Sequence, residues 1–362
     1  MTARSRKSRR PAGDMFPGMA DRIQGRPPKA ETEPEALTLD EAIARSYAIV
    51  DRVLTAFPVK AVIALFSGGN DSVVVNHLFR HRVDAIAHVN TGTGIKATTQ
   101  HVRDVAAAWG LHLHELHPKH SYRDLVLGNV LSTRGKNIGR PVWKGFPGPA
   151  GHSVMYRRLK DEPLQRLRGQ IIGRQGRTRN VVYLGGMRWA ETDRRFRNAE
   201  EVDREGSLLW VSPIVHWTDA HMREYRARHR CTLPHEHAAH MLCTPNALPL
   251  NEVTVHLHMS GECLCGAFAK PGELDEIEFF YPQDAKPLRE LQREAKAAGL
   301  EAHTWGERPP GPRTRRRPAG RLCGKCEAID GQADLLAEWR DTGLITPAQF
   351  ATFTHTEEQR AA

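Results

Sequence analysis

The string Ser67-Gly68-Gly69-Asn70-Asp71-Ser72 sets two hydroxyls, two glycines and a carboxylate directly after the apolar run AVIALF (61–66). These residue types in this order suit an anion. Glycine lets backbone N–H groups come close to an oxyanion, and a helix that starts at once adds positive potential. Ser67 and Ser72 supply hydroxyl donors, and Asp71 can fix the loop or help hold a metal ion on phosphates. An ordinary strand-to-helix turn accounts for one glycine and a capping serine, but poorly for the whole string. The string is neither a G-x-x-x-x-G-K-[ST] loop nor a G-x-G-x-x-G fingerprint.

The second group with chemical potential is cysteine. Six are present, at 231, 243, 263, 265, 323 and 326. Cys263 and Cys265 form a C-x-C pair and Cys323 and Cys326 a C-x-x-C pair, with 57 residues between the pairs. Without a signal-peptide pattern, clustered cysteines point to metal or redox chemistry before disulfides. Three readings stand side by side. The four thiolates converge on one iron–sulfur or zinc centre, Cys323 and Cys326 form a redox-active dithiol, or the thiols are simply buried. Cys231 and Cys243 have no partner at ligand spacing and read as buried, with Cys243 a substitute ligand.

The elements that must position these groups alternate. Residues 38–57 open with Thr38 and Glu41 in capping-box spacing and continue with helical periodicity. AVIALF is a strand covered on both faces, and SVVVNHLFRH a helix. DAIAHVN (84–90) and LHLHELH (111–117) are strands flanking a helix that Gly110 closes. NVVYLGG (180–186) and LLWVSPI (208–214) are further strands. Strands alternating with helices predict an α/β fold with a doubly wound parallel sheet, whose ligands bind beyond the carboxyl ends of the strands. A cysteine-rich C-terminal extension follows it. The expected organisation is a disordered basic arm (1–36), a nucleotide-binding domain (37–230), a cysteine-rich extension (231–345) with a basic loop at 306–321, and a tail (346–362).

The formal net charge is +10, which favours anionic partners. Five Lys or Arg lie in residues 4–10, and six Arg in residues 308–321. These read either as solvated segments or as nucleic-acid contacts. No apolar run approaches the roughly 20 residues of a membrane span, and a cytoplasmic location is expected.

SGGNDS resembles the S-G-G-x-D-S PP-motif of the N-type ATP pyrophosphatases and the phosphoadenosine phosphosulfate (PAPS) reductases. Asn70 stands where lysine is often found. HVNTGTGI (88–95) is similar to the family's N-T-G segment, which implies that Asn90, Thr91 and Gly92 lie against the nucleotide. LGGMRWAETDRRFR (184–197) resembles the G-x-R-x-x-E-S-x-x-R element of PAPS reductases and of phage or bacterial DNA phosphorothioation proteins, with Thr192 in place of Ser. It implies that Gly186 approaches the nucleotide and that Arg188 with Arg194 or Arg195 clamps an anion. SPIVHWTDAHMREY (212–225) is similar to the P-I-x-x-W segment, where Trp217 reads equally as core or site wall. GFPGPAGHSVMYRRLKDEPL (145–164) resembles the segment with a substrate-facing lysine, which makes Lys160 and His152 candidates. The cysteine pairs are similar to those of cluster-bearing adenylylsulfate reductases, with Cys-Leu-Cys replacing Cys-Cys.

The resemblance implies an adenine nucleotide α-hydrolase-like fold. It implies binding of ATP with Mg²⁺, or of PAPS or adenylylsulfate, and cleavage of ATP between the α and β phosphates. Adenylation coupled to sulfur transfer onto nucleic acid is the first expectation, with Asp71, Arg188, Arg194 and Lys160 as catalytic residues and a cysteine desulfurase or thiol donor as sulfur source. Reduction of PAPS or adenylylsulfate is the second. It needs a nucleophilic cysteine on a mobile tail, and residues 346–362 hold none. A non-catalytic nucleotide- or DNA-binding module is the third.

Overall fold

The computed structural model describes residues 37–173, 179–191, 199–230, 247–270 and 272–307. Helix α1 (Leu39–Ala56) begins on the capping box read from the sequence. Thr38 Oγ1 accepts from the Glu41 N–H, while the Glu41 carboxylate accepts from the Thr38 N–H. Strand β1 (Val59–Leu65) runs into the Ser67–Ser72 loop and helix α2 (Asn70–Phe79). Then come β2 (Ala85–Val89), α3 (Lys96–Ala108) and β3 (Leu113–Leu116). Short helices α4 (Tyr122–Leu127) and α5 (His152–Tyr156) precede a π-helical turn, Arg157–Asp161, which leads into α6 (Glu162–Ile172). Strand β4 (Asn180–Leu184), the hairpin β5 (Val202–Glu205) and β6 (Leu208–Val211), and α7 (Asp219–Arg228) complete the sheet layer.

The strands stand in the order β3-β2-β1-β4-β6-β5. All neighbours are parallel except the β5–β6 pair. Period-two alternation sends Val62, Ala64, Val182 and Leu184 toward α1, α2 and α7, and Ile63, Val181 and Tyr183 toward α6. Both faces are therefore covered, which is why these strands read as continuous apolar runs. The chain winds from β1 outward to β2 and β3 on one side and reaches β4 on the other. The switch point thus lies between the carboxyl ends of β1 and β4, where such sheets bind ligands.

Three further helices, α8 (Glu252–Leu257), α9 (Glu273–Phe280) and α10 (Pro282–Ala297), follow the sheet layer. Val253, Leu264, Ile277, Leu288 and Trp305 share one core with Ile95, Tyr122, Phe146, Met155 and Leu159. Residues 247–307 thereby pack over the loops that leave the sheet edge. Among the described residues, no helix is long and apolar enough to cross a membrane. The expected arm 1–36, the basic loop from 308 on, and Cys231, Cys243, Cys323, Cys326, Thr192, Arg194 and Arg195 lie outside the described residues.

Candidate functional site

The Ser67–Ser72 loop is held from inside. Ser72 Oγ donates to the Gly69 carbonyl at 2.8 Å and lies 3.0 Å from Ser67 Oγ. Asn76, one turn on, donates through Nδ2 to the Leu65 and Ser72 carbonyls. The left-handed backbone falls on Gly68 (φ +76°), whose carbonyl accepts from Asn251 Nδ2 at 3.0 Å. Gly69 is the residue before α2, so the N–H groups of Asn70, Asp71 and Ser72 sit in a first turn that offers them no helical carbonyl. Such a turn is an anion site.

The loop opens into a cavity of about 790 Å³. Ser67, Gly69, Asn70, Asp71, Ser72, Gly186, Arg188 and Lys160 all line it, so eight of the residues picked out in the sequence meet in one place. Gly186, just past β4, fits against the loop backbone. A Cβ there would lie 2.8 Å from the Asp71 carbonyl carbon and 2.9 Å from the Ser72 nitrogen. Arg188 is buried, donating from Nε to Asp71 Oδ1 at 3.0 Å and from a terminal nitrogen to Asp219 Oδ1 at 2.9 Å. Its guanidinium thus holds the loop carboxylate in place as well as facing the cavity.

Gly68, Asn90, Thr91 and Gly92 do not line this cavity. Asn90 donates to Glu115, whose carboxyl is held down to about 2 by the Arg103 guanidinium first and by Asn90 as well. Thr91 Oγ1 donates to the Glu262 carbonyl at 3.0 Å. This segment braces the loop 258–266 instead. Trp217 resolves as core: it is buried, and its Nε1 donates to Ser46 Oγ at 2.9 Å.

Lys160 sits on the π-helical turn, a distortion that often marks functional sites. Its ammonium pairs with the Glu262 carboxylate. Burial disfavours the charge, but Glu262 and the neighbouring Cys263 outweigh it and raise the lysine above its ordinary range. Lys160 also borders a second chamber of about 690 Å³, whose wall includes Cys263, Cys265 and His152. Tyr156, His258 and Met259 belong to both walls. The hydrogen bond from Cys263 lowers the Cys265 thiol, against burial and with help from the Ala267 N–H and Lys160. The same bond, together with burial, raises Cys263.

Glu262, Asn251 and Asp219 escaped the sequence reading. Each acts on a partner far along the chain, and none belongs to a spacing pattern. The one available signal was the Ser-Gly-Glu turn immediately before Cys263. Among the described residues, no group of three or more His, Cys, Asp or Glu is arranged to hold a metal ion. The Cys263/Cys265 pair supplies two soft ligands, half the set a four-thiolate centre requires.

A doubly wound sheet with an anion loop at its switch point defines a nucleotide-binding α/β protein. Residues 61–239 match the family model of the phosphoadenosine phosphosulfate reductase domain, so the chain contains a domain of that family. A crystal structure of phosphoadenylyl-sulfate (PAPS) reductase from Candida auris, a phosphate complex, is similar at 16% sequence identity and a TM-score of 0.37. The match covers 61% of this chain and 92% of that one. No curated protein matches the chain.

Proposed function

We propose that the chain adenylates an acceptor oxygen at the expense of ATP and exchanges that oxygen for sulfur, with nucleic acid as the acceptor. The observation that carries this is the shared wall. Lys160 borders both the cavity of the intact Ser67–Ser72 loop and the chamber of the Cys263/Cys265 thiols. An acceptor oxygen attacks the α-phosphorus, and the bond to the β-phosphate oxygen breaks, releasing pyrophosphate. A sulfur nucleophile then adds to the activated carbon, and AMP leaves with the oxygen. Backbone N–H groups of the loop, with Ser67 and Ser72, bind the pyrophosphate, while Arg188, Lys160 and Arg194 stabilise charge that develops there. Mg²⁺ carried on the nucleotide would offset phosphate charge, with Asp71 as its protein carboxylate. The absence of a lysine of the Walker type from the loop favours α,β cleavage over γ-phosphate transfer.

Cys263 and Cys265, completed by Cys323 and Cys326, would hold an iron–sulfur cluster, with zinc as the other metal suited to thiolates. Such a centre would present or carry sulfur delivered by a cysteine desulfurase or a thiol donor. The similarity of residues 184–197 to DNA phosphorothioation proteins supports a nucleic-acid acceptor.

The family domain itself favours a second reading, thiol-dependent reduction of PAPS or adenylylsulfate to sulfite. The two reactions differ in products. Protein incubated with ATP and single-stranded nucleic acid should release AMP and pyrophosphate and leave sulfur on the acceptor. Sulfite formed from PAPS or adenylylsulfate with a thiol, without ATP cleavage, establishes the reductase instead. ADP and phosphate from ATP would reject the adenylation step.

A further inference from the structure

The second chamber has more built into it than a pair of thiols needs. Phe268 stands in its wall with 55% of its surface exposed, and Tyr156 with 40%. Apolar side chains of this size exposed together at a cavity mark a binding surface. His152 packs against Phe268 at 4.7 Å between ring centroids and lies 6.1 Å from the ring of Tyr156.

Part of the lining is polar. Glu276 and Glu273 come from α9, and Lys270 lies just before it. Burial raises the Glu276 carboxyl, His258 and Lys270 oppose that rise, and Glu273 adds to it. Lys160 and Lys270 share this lining with the two acids, and a lining so polar disfavours a hydrocarbon ligand. A planar ring with an apolar face and a hydrogen-bonding edge satisfies both parts of the lining. The volume, about 690 Å³, falls within the usual range for small-ligand sites.

We propose that this chamber receives one unstacked nucleobase of a single-stranded nucleic acid, stacked on Phe268 with its edge toward Glu276. The placement rests on the adenylation reading above. It brings the base beside Lys160, which separates it from the phosphate loop, and beside Cys263 and Cys265. The net charge of +10 suits the polyanion to which the base is attached.

The test uses the full chain and a single-stranded oligonucleotide of about ten nucleotides carrying 2-aminopurine at its centre, as DNA and as RNA. Saturable binding with a change in 2-aminopurine emission is expected. Phe268→Ala should weaken binding about tenfold to a hundredfold, the size of one base–aromatic stack, and abolish the emission change. Phe268→Tyr should restore both, and the exposed position leaves the thermal transition unmoved. ATP affinity should be the same in all three proteins. If free nucleoside monophosphates show the same Phe268 dependence and the oligonucleotides do not, the chamber serves a mononucleotide and the proposal fails. Loss of ATP binding in Phe268→Ala also overturns it, because the ring would then hold the adenine of the nucleotide. A wild-type protein that binds the oligonucleotide through Phe268 but binds no ATP upholds the chamber and refutes the adenylation reading alone.

Discussion

Arg188 Nε donates to Asp71 Oδ1 at 3.0 Å, joining two residues 117 positions apart. The arginine leaves the carboxyl end of β4 and the aspartate lies in the first turn of α2, so the pair spans the switch point. Asp219, at the start of α7, holds the same guanidinium from its other side.

Unequal costs for the two acids follow. Asp219 has 68% of its side chain exposed, so Asp219→Asn should change stability by less than about 1 kcal/mol. Asp71→Asn keeps an oxygen for Arg188 while removing the charge that faces the cavity. The protein should stay folded in urea titrations and lose about a hundredfold or more in pyrophosphate release. Full activity of Asp71→Asn would remove this residue from the site.

Two neighbouring glycines make an internal control. A Cβ on Gly186 meets backbone atoms of Asp71 and Ser72 at under 3.0 Å, whereas one on Gly185 meets nothing within 4 Å. Gly186→Ala must displace the phosphate loop, at about 1–3 kcal/mol of stability and at least tenfold in nucleotide affinity. Gly185→Ala should match the parent in both. Calorimetric titration with ATP, alongside thermal unfolding, measures the difference.

His101 makes stability depend on pH. It is buried in α3 beside Phe66, and its Nε2 has no hydrogen-bond partner among the described residues. Burial lowers its pKa to about 4, against a smaller opposing effect of Asp104. The unfolded chain titrates near 6.5, so between these values the unfolded state binds the extra proton. The contribution is fully present above pH 6.5 and is lost as pH falls toward 4. The loss amounts to about 2 kcal/mol at pH 5. Urea unfolding at pH 7.5 and pH 5 should show that loss in the parent and a smaller one in His101→Phe.

Protein purified without oxygen is expected to carry metal on the cysteines. Cys263→Ser and Cys265→Ser should lower it equally, as should serine at Cys323 or Cys326. Metal analysis with an absorption spectrum distinguishes iron–sulfur from zinc. Metal-free parent protein would leave Cys263 and Cys265 as a dithiol.

The Ser67–Ser72 loop, the capping box at Thr38 and the strand β1 were legible because each is a local pattern: a glycine string, an i to i+3 spacing, a continuous apolar run. The wall between the two chambers was not. Lys160 meets Glu262 across 102 residues, and Asn251 reaches Gly68 across 183. Packing of residues 247–307 over the sheet edge makes both contacts, and no period in the sequence encodes it. The π-helical turn under Lys160 is equally silent, since it arises from tertiary fit rather than from propensity. Resemblance implies that Asn90, Thr91 and Gly92 lie against the nucleotide, and it gave no sign that Thr91 bonds the Glu262 carbonyl across 171 residues.

The central claim is that the Ser67–Ser72 loop at the β1/β4 switch point binds the phosphates of an adenine nucleotide. Titration of the full chain with ATP and Mg²⁺ tests it most directly, with Gly186→Ala and Asp71→Asn beside the parent. Saturable binding to the parent, weakened at least tenfold by Gly186→Ala, is the expected result. Folded variants that bind ATP as tightly as the parent would contradict the account.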